Sequence, residues 1–323
     1  MPEFVVGIDL GGTFIKTALV SREKEVVAKD SRPTRGDEGP GAVMEAMQDA
    51  VRDLLEQQGA TTAQVLAVGI GAPGPLNWQE GIVYGLTNIP GWENVPAAQK
   101  MRARLGVPVF LENDANAACY GEFWLGAGQG ADNMAVLTLG TGVGGGLVIH
   151  SELVRGIDGT AAELGHIKVQ RNGRRCGCGA QGCLETYASV TGMIRTAAEA
   201  METRRNSLLT KWCGGDRENL TGKMIYETAV QGDELARWIF EETAAWLGYG
   251  ISSIINYQNP ERIVLCGGMI NAGDMLFEPV RRVAKENSFN VPGNRCEILP
   301  AGLGSDSGVL GAAGCALTRY ERG

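Results

Sequence analysis

Two stretches of this chain repeat one device. Residues 3–21 read EFVVGIDLGGTFIKTALVS, and residues 134–154 read MAVLTLGTGVGGGLVIHSELV. In each, a β-branched apolar run meets a glycine-rich turn with a threonine in it, and a second apolar run follows. That pattern is a strand, a tight turn and a returning strand. Two copies of this device more than a hundred residues apart form a weak internal repeat that suggests two related domains facing each other. A chain of 323 residues has the length for two domains. The 47 glycines, about twice the usual share, gather in short loops flanked by apolar residues, where bare backbone can approach a ligand.

Other elements follow from periodicity. EVVAKDSRP adds a strand after the first hairpin, and residues 39–59 place Val43, Met47, Val51, Leu54 and Leu55 on one helical face that ends at Gly59. VLAVGIGAPGP is a buried strand running into a Pro/Gly loop, and VPVFLEND is a strand followed by the helix ANAACYGEFWLGAG. RIVLCGGM is a third strand entering glycines, CEILPAGLG a late strand, and SDSGVLGAAGCALTRY a terminal helix. We place a smaller domain at 1–120, with a C-terminal helix at 306–323 packing back on it, a hinge at 121–130, and a larger domain at 121–305. Residues 204–222 read as polar and irregular.

A net charge of −8 argues against nucleic acid and anionic membrane surfaces as partners. A bound phosphate would then be held locally, by backbone amides and a metal ion. Glu3 and Asp9 interrupt the N-terminal apolar run, so no signal peptide is expected. The uncharged run 133–151 carries five glycines and reads as strand, loop, strand, not as a membrane span. The expected compartment is the cytoplasm, where disulfides are disfavoured and clustered cysteines shift toward metal binding.

The glycine loops are not Rossmann fingerprints. Residues 69–74 and 140–145 both match G-x-G-x-x-G, yet the first runs into Pro75 and the second into the strand GLVI, where a fingerprint needs a helix. Walker A is absent as well. The turns offer backbone N–H groups to phosphate oxygens, and Thr13 and Thr141 add hydroxyls. Asp9, closing its strand, can hold Mg²⁺ through water or can cap the turn.

Taken together, DLGGTFIK, LGTGVGGG, CGGM and the cysteine-rich run GHIKVQRNGRRCGCGAQGCLE resemble the ROK sugar kinases over nearly the whole chain. The resemblance implies a two-domain, actin-like and hexokinase-like ATPase fold of the ribonuclease H-like type, with a cleft between the domains. It implies ATP held by Gly11, Gly12, Thr13, Thr141, Gly142, Gly267 and Gly268, and a homodimer or tetramer.

The cysteine run holds Cys176, Cys178 and Cys183, with His166 ten residues ahead. Three thiols and an imidazole make a closed tetrahedral structural zinc set, and Gly177 and Gly179 give the C-x-C backbone its freedom. The rival is three reduced cysteines in a loop. In the resembled family the matching Glu163, His166 and Glu185 contact the sugar, the histidine while bound to zinc. By its position alone, Glu185 can equally be a carboxylate at a helix N-terminus.

LENDANAA sets Asn113 and Asp114 between a strand and a helix. The bland reading is helix capping. The resemblance makes Asp114 the general base and gives Asn113 the neighbouring sugar hydroxyls, with Asn88 and the loop from Gly71 lining the opposite wall. Lys16 reads as an exposed strand residue without a catalytic role.

NIPGW and ELGH resemble the glucokinase branch, which implies ATP-dependent phosphorylation of glucose at its 6-hydroxyl. An N-acetylhexosamine kinase, a fructokinase or a polyphosphate donor are the alternatives. The family's sugar-sensing regulators carry a helix-turn-helix ahead of the first hairpin, and that placement is not expected here.

Overall fold

The computed structural model describes residues 3–86, 89–203 and 206–323. In chain order the described residues form β1 (Phe4–Leu10), β2 (Phe14–Ser21), β3 (Val26–Pro33), α1 (Pro40–Gln57), β4 (Val65–Ala72), the two-residue strands β5 (Leu76–Asn77) and β6 (Ile82–Val83), α2 (Ala97–Leu105), β7 (Val109–Asn113) and α3 (Asp114–Leu125). Next come β8 (Met134–Leu139), β9 (Val143–Ile149), β10 (Glu152–Leu153), α4 (Glu185–Ala188), α5 (Val190–Ala200), α6 (Leu208–Trp212), α7 (Gly222–Val230) and α8 (Glu234–Gln258). The rest are β11 (Arg262–Cys266), α9 (Asp274–Asn287), α10 (Asn290–Arg295), β12 (Glu297–Pro300) and α11 (Ser307–Glu321).

Two compact units result: Met1–Asp132 with Gly146–Ala162 and Ala301–Gly323, and Asn133–Gly145 with Glu163–Pro300. In the first, the sheet order is β3-β2-β1-β4-β7. β1 and β2 are antiparallel, whereas β1, β4 and β7 run parallel. Central β1 is apolar on both faces because a helix covers each one. Phe4, Val6, Ile8 and Leu10 share a core with Val43, Met47, Val51 and Leu54 of α1, each apolar side chain contributing about 1.5–3 kcal/mol on burial. Edge strand β3 carries Lys29, Asp30 and Arg32, charges that suit an unpaired edge.

α11 lies against β1, β4 and α3. The break expected at 121–130 begins inside α3: Gly121 is buried there, and a Cβ on it would run into the carbonyl of Ser307. Glu122, fully buried, fastens the same region. Its carboxylate accepts from Ala127 N at 2.9 Å, Gly302 N at 2.8 Å, Leu303 N at 3.0 Å and Ser307 Oγ at 2.6 Å. Residues 146–162 join the first unit through the Arg155–Glu112 ion pair at 2.7 Å and the packing of Arg155 on Trp78. A division at residue 120 would leave them in the second.

In the second unit β8, β11 and β12 run parallel. α8 packs against α4, α5, α7, α9 and α10 and carries a buried stripe that includes Leu247, Ile251, Ile254 and Ile255. Residues 206–222 are more regular than their polarity suggests. Arg204 and Arg205 lie outside the described residues, but Ser207 caps α6 through Leu209 N and buries Leu209. Among the described residues, no helix is long and apolar enough to cross a membrane.

Candidate active site

The parallel register of the first sheet brings three chemical positions to its carboxyl end. Asp9 pairs with Gly71, Gly71 with Glu112, and Ala72 with Asn113. Ligands of α/β sheets collect at this edge, because strands end there and helices begin. Asn113 is the N-cap of α3: its Oδ1 accepts from Ala115 N at 3.0 Å and Asn116 N at 3.1 Å. The capping role and a position at the strand end are therefore held by one residue. Asp114, the first residue of α3, accepts from Ala115 N at 2.8 Å. Burial raises its pKa above the usual carboxylate range, although hydrogen bonds from the backbone and from Asn113 oppose the shift.

Asp9 is pushed up to about 6, first by burial and then by the negative charge of Asp114, while Lys16 pulls the other way. Lys16 is thus not the exposed bystander expected from its strand position. It pairs with Asp9 across the hairpin and donates to Ser305 O at 2.6 Å, half-buried. Gly308, at the start of α11, comes so close to Asp9 that a Cβ there would lie 3.1 Å from Oδ2. The turn Gly11–Gly12–Thr13 is pinned from behind by Thr34, whose Oγ1 donates to Gly11 O at 2.7 Å and whose N donates to Thr13 O at 2.9 Å. Gly12 and Thr13 are left exposed. Asn88 lies outside the described residues.

In the second unit, the turn between β8 and β9 is closed by Gly140 N donating to Gly142 O at 3.0 Å. Val190 N, at the start of α5, donates to Gly140 O at 2.9 Å. Glu185 reaches this turn: its Oε2 accepts from Val143 N at 3.0 Å and fills the space that a Cβ on Gly142 would need. Glu185 does begin a helix, but α4 is a single turn, and the carboxylate serves the glycine turn. Thr141 and Gly142 border a cavity of about 410 Å³ whose wall carries Arg175 and Arg195.

Gly267 ends β11 with φ 93°, a conformation open to glycine at little cost, and any side chain there would strike the backbone of Leu139. Gly268 borders a second cavity of about 290 Å³, lined mainly by Val190, Met193, Tyr226, Phe240 and Met269. None of these five was legible as a site residue in the sequence, because apolar positions in helices read as core. Of the first cavity's arginines, Arg175 was masked by its place in a loop read only for its cysteines, and Arg195 by its place in helix α5.

The cysteine cluster is assembled. Among the described residues, one ligand atom each from His166, Cys176, Cys178 and Cys183 lie within 4.8 Å of one another. Cys178 Sγ and Cys183 Sγ are 3.7 Å apart, and Cys176 Sγ and His166 Nδ1 are also 3.7 Å apart. A tetrahedral ion with metal–sulfur bonds of about 2.3 Å requires sulfurs about 3.8 Å apart, which is close to the spacing of Cys178 and Cys183. Cys178 is lowered, mainly by the backbone N–H of Ala180, whereas burial pushes Cys176 up to about 12. Lys168 Nζ donates to Cys183 Sγ at 2.8 Å, a charge-assisted contact suited to a thiolate. His166 presents its other nitrogen, Nε2, to Glu163, whose Oε2 is 4.0 Å away.

The ROK family pattern matches residues 5–319. A glucokinase of Thermotoga maritima is 38% identical over 314 residues, covering 97% of each chain. The solved ROK family glucokinase of Streptomyces griseus, in complex with glucose and AMPPNP, is 36% identical with a TM-score of 0.78, covering 98% of this chain and 99% of that one. The ROK hexokinase of Thermus thermophilus is 32% identical with a TM-score of 0.84, covering 99% and 100%. The α/β architecture is that of these hexokinase-like kinases, as the resemblance implied. With full-length relatives above 30% identity and the family pattern running through nearly all of it, this chain belongs to the ROK family.

Proposed function

We infer that the chain is an ATP-dependent hexose kinase that converts glucose to glucose 6-phosphate. The observation that carries this reading is the full-length likeness to a glucokinase solved with glucose and AMPPNP. The chemistry of the residues supports it. Phosphoryl transfer asks the protein for alignment, charge neutralisation and an acceptor for the sugar proton.

In this reading Asp114 takes the proton of the 6-hydroxyl while that oxygen bonds to the γ-phosphorus and the bond to the β-phosphate oxygen breaks, releasing ADP. Its raised pKa makes it a stronger base than an exposed aspartate. Asn113, its Oδ1 engaged in capping and its Nδ2 donating to the Asp114 carboxylate, has a second Nδ2–H for a neighbouring hydroxyl. Glu163, His166 and Glu185 are assigned to other sugar hydroxyls, and Gly71 to the backbone that the sugar approaches. Gly11, Gly12, Thr13, Thr141 and Gly142 are assigned to the phosphates, with Arg175 and Arg195 supplying positive charge beside the second turn. The apolar cavity at Gly268 has the size and lining for a purine ring, with Gly267 at its edge.

Asp9 is a half-buried carboxylate without full compensation, which fits a cation; Mg²⁺ bound there through water would neutralise phosphate charge. The Cys₃His donor set fits Zn²⁺, which would hold residues 166–183 as one rigid loop. An ADP-release assay across glucose, mannose, fructose and the N-acetylhexosamines tests the assignment. Glucose is expected to show the highest kcat/KM, because a site built around hydroxyls leaves polar groups unpaired when one is replaced. Higher kcat/KM for N-acetylglucosamine would move the substrate and leave the kinase standing; no turnover with any sugar would reject both.

A further inference from the structure

Behind Asp114 lies a buried ion pair that the reaction as described does not use. Glu112, next to last in β7, has a side chain only 4% exposed. Its Oε2 accepts from Arg155 Nε at 2.7 Å. Its Oε1 accepts from the backbone N–H of Asn113 at 3.2 Å and from Asn116 Nδ2 at 3.2 Å. One carboxylate therefore grips the chain on both sides of Asp114. Arg155 arrives from 43 residues away and lies over the Trp78 ring at 4.8 Å. Arg319 also lies over that ring, at 4.9 Å.

A buried ion pair is poor value as a stabiliser, since desolvating both charges offsets most of their attraction. An apolar pair of similar volume would fill the space as well. It would not accept the Asn113 N–H, nor hold the first turn of α3 at Asn116. The Asp114 carboxylate is itself bonded to the backbone of that turn, at Ala115 N. Its direction is thus set by the backbone that Glu112 holds. Reaction rates are sensitive to such placement: an error of about 1 Å can cost on the order of 10²-fold.

We propose that Glu112 and Arg155 are positioning residues for the Asn113–Asp114 pair, the arginine fixing the carboxylate and the carboxylate fixing the junction of β7 and α3. The proposal rests on the reading of Asp114 as general base. Two neutral pairs test it, E112Q/R155M, which keeps an acceptor at Glu112's place, and E112L/R155M, which removes it. Neither leaves an orphaned buried charge. Kinetics are measured below each variant's melting temperature, with the folded fraction checked by circular dichroism. E112L/R155M is expected to lose about 10–100-fold in kcat with KM for ATP unchanged. E112Q/R155M is expected to retain several-fold more activity than E112L/R155M. A structural role alone would lower the melting temperature and leave kcat per folded molecule as in the unmodified protein. Wild-type kcat in folded E112L/R155M, or equal kcat in both pairs, overturns the proposal. Should E112L/R155M not fold, R155K decides: it keeps the charge but lacks the planar fork, so reduced kcat at unchanged KM for ATP supports positioning and wild-type kcat rejects it. D114N runs beside them. If D114N keeps wild-type kcat, the general-base reading fails; if D114N is inactive and E112L/R155M is not impaired, the positioning proposal fails alone.

Discussion

Asp9 and Asp114 are both half-buried at the end of one sheet, and their surroundings differ. Asp114 has its helix N-terminus and the Asn113 side chain to support the charge. Asp9 sits beside the charge of Asp114 and rises to about 6. Because its folded pKa lies above the unfolded 3.8, the folded state binds the proton more tightly, and stability falls as pH rises from about 4 to about 6. The full loss above that window is on the order of 3 kcal/mol. Asp9→Asn should therefore raise the melting temperature of the ligand-free protein at pH 7.5, with the advantage vanishing near pH 4. Thermal scans of both proteins at the two pH values check this, and equal melting temperatures at pH 7.5 would contradict it. The same variant should lose turnover, the usual exchange of stability for function at an active site. Asp114→Asn should lose roughly 10²–10⁴-fold in kcat while keeping the fold, since the amide cannot accept the proton. Steady-state kinetics with unchanged circular dichroism would establish that.

Elements meet at single carboxylates. Glu185 joins α4 to the β8–β9 turn, and its Oε1 lies 3.5 Å from Cys176 Sγ in the cysteine cluster. A methyl on Gly142 would take the place of the Glu185 carboxylate, so Gly142→Ala is expected to raise KM for both ATP and glucose, where a turn acting alone would change only ATP. Initial rates with each substrate varied in turn separate the two cases. Glu122 plays the corresponding part where α3, the loop 126–128 and the start of α11 converge. Glu122→Ala would leave the N–H groups of Ala127, Gly302 and Leu303 and the buried Ser307 hydroxyl without the acceptor that the fully buried carboxylate provides. A loss of roughly 3–5 kcal/mol is expected in urea denaturation, a size reserved for the breaking of a buried network.

Each unit of the molecule has its own sheet and core, and the cysteine cluster belongs to the second unit alone. Metal binding to a preformed set of thiolates contributes folding free energy only to the part that carries it. Stripping the metal with a chelator, or Cys178→Ser, should then lower the melting of the second unit while the first is unaffected. Calorimetry resolves this, together with elemental analysis for one zinc per chain. A purified protein without zinc, never exposed to chelator, would reject the Cys₃His assignment.

Much of this was written locally in the chain. Strand, glycine turn and strand are short-range signals, because alternation and left-handed or crowded backbone restrict which residues fit. The candidate metal cluster was legible for the same reason: three of its thiols fall within eight residues. Asn113 and Asp114 stood out at a strand-to-helix junction. Glu112 and Glu122, a few residues to either side, did not, since an acidic residue in sequence looks like solvent-facing surface. Their burial depends on partners at Arg155, Gly302, Leu303 and Ser307, which no local pattern ties to them. Lys16 was misread likewise, its charge being turned to Asp9 by the hairpin register. Local sequence determined which elements form and where a metal can sit. Tertiary structure alone decided which charges are buried, because a charge leaves water only where distant parts of the chain bring it a partner.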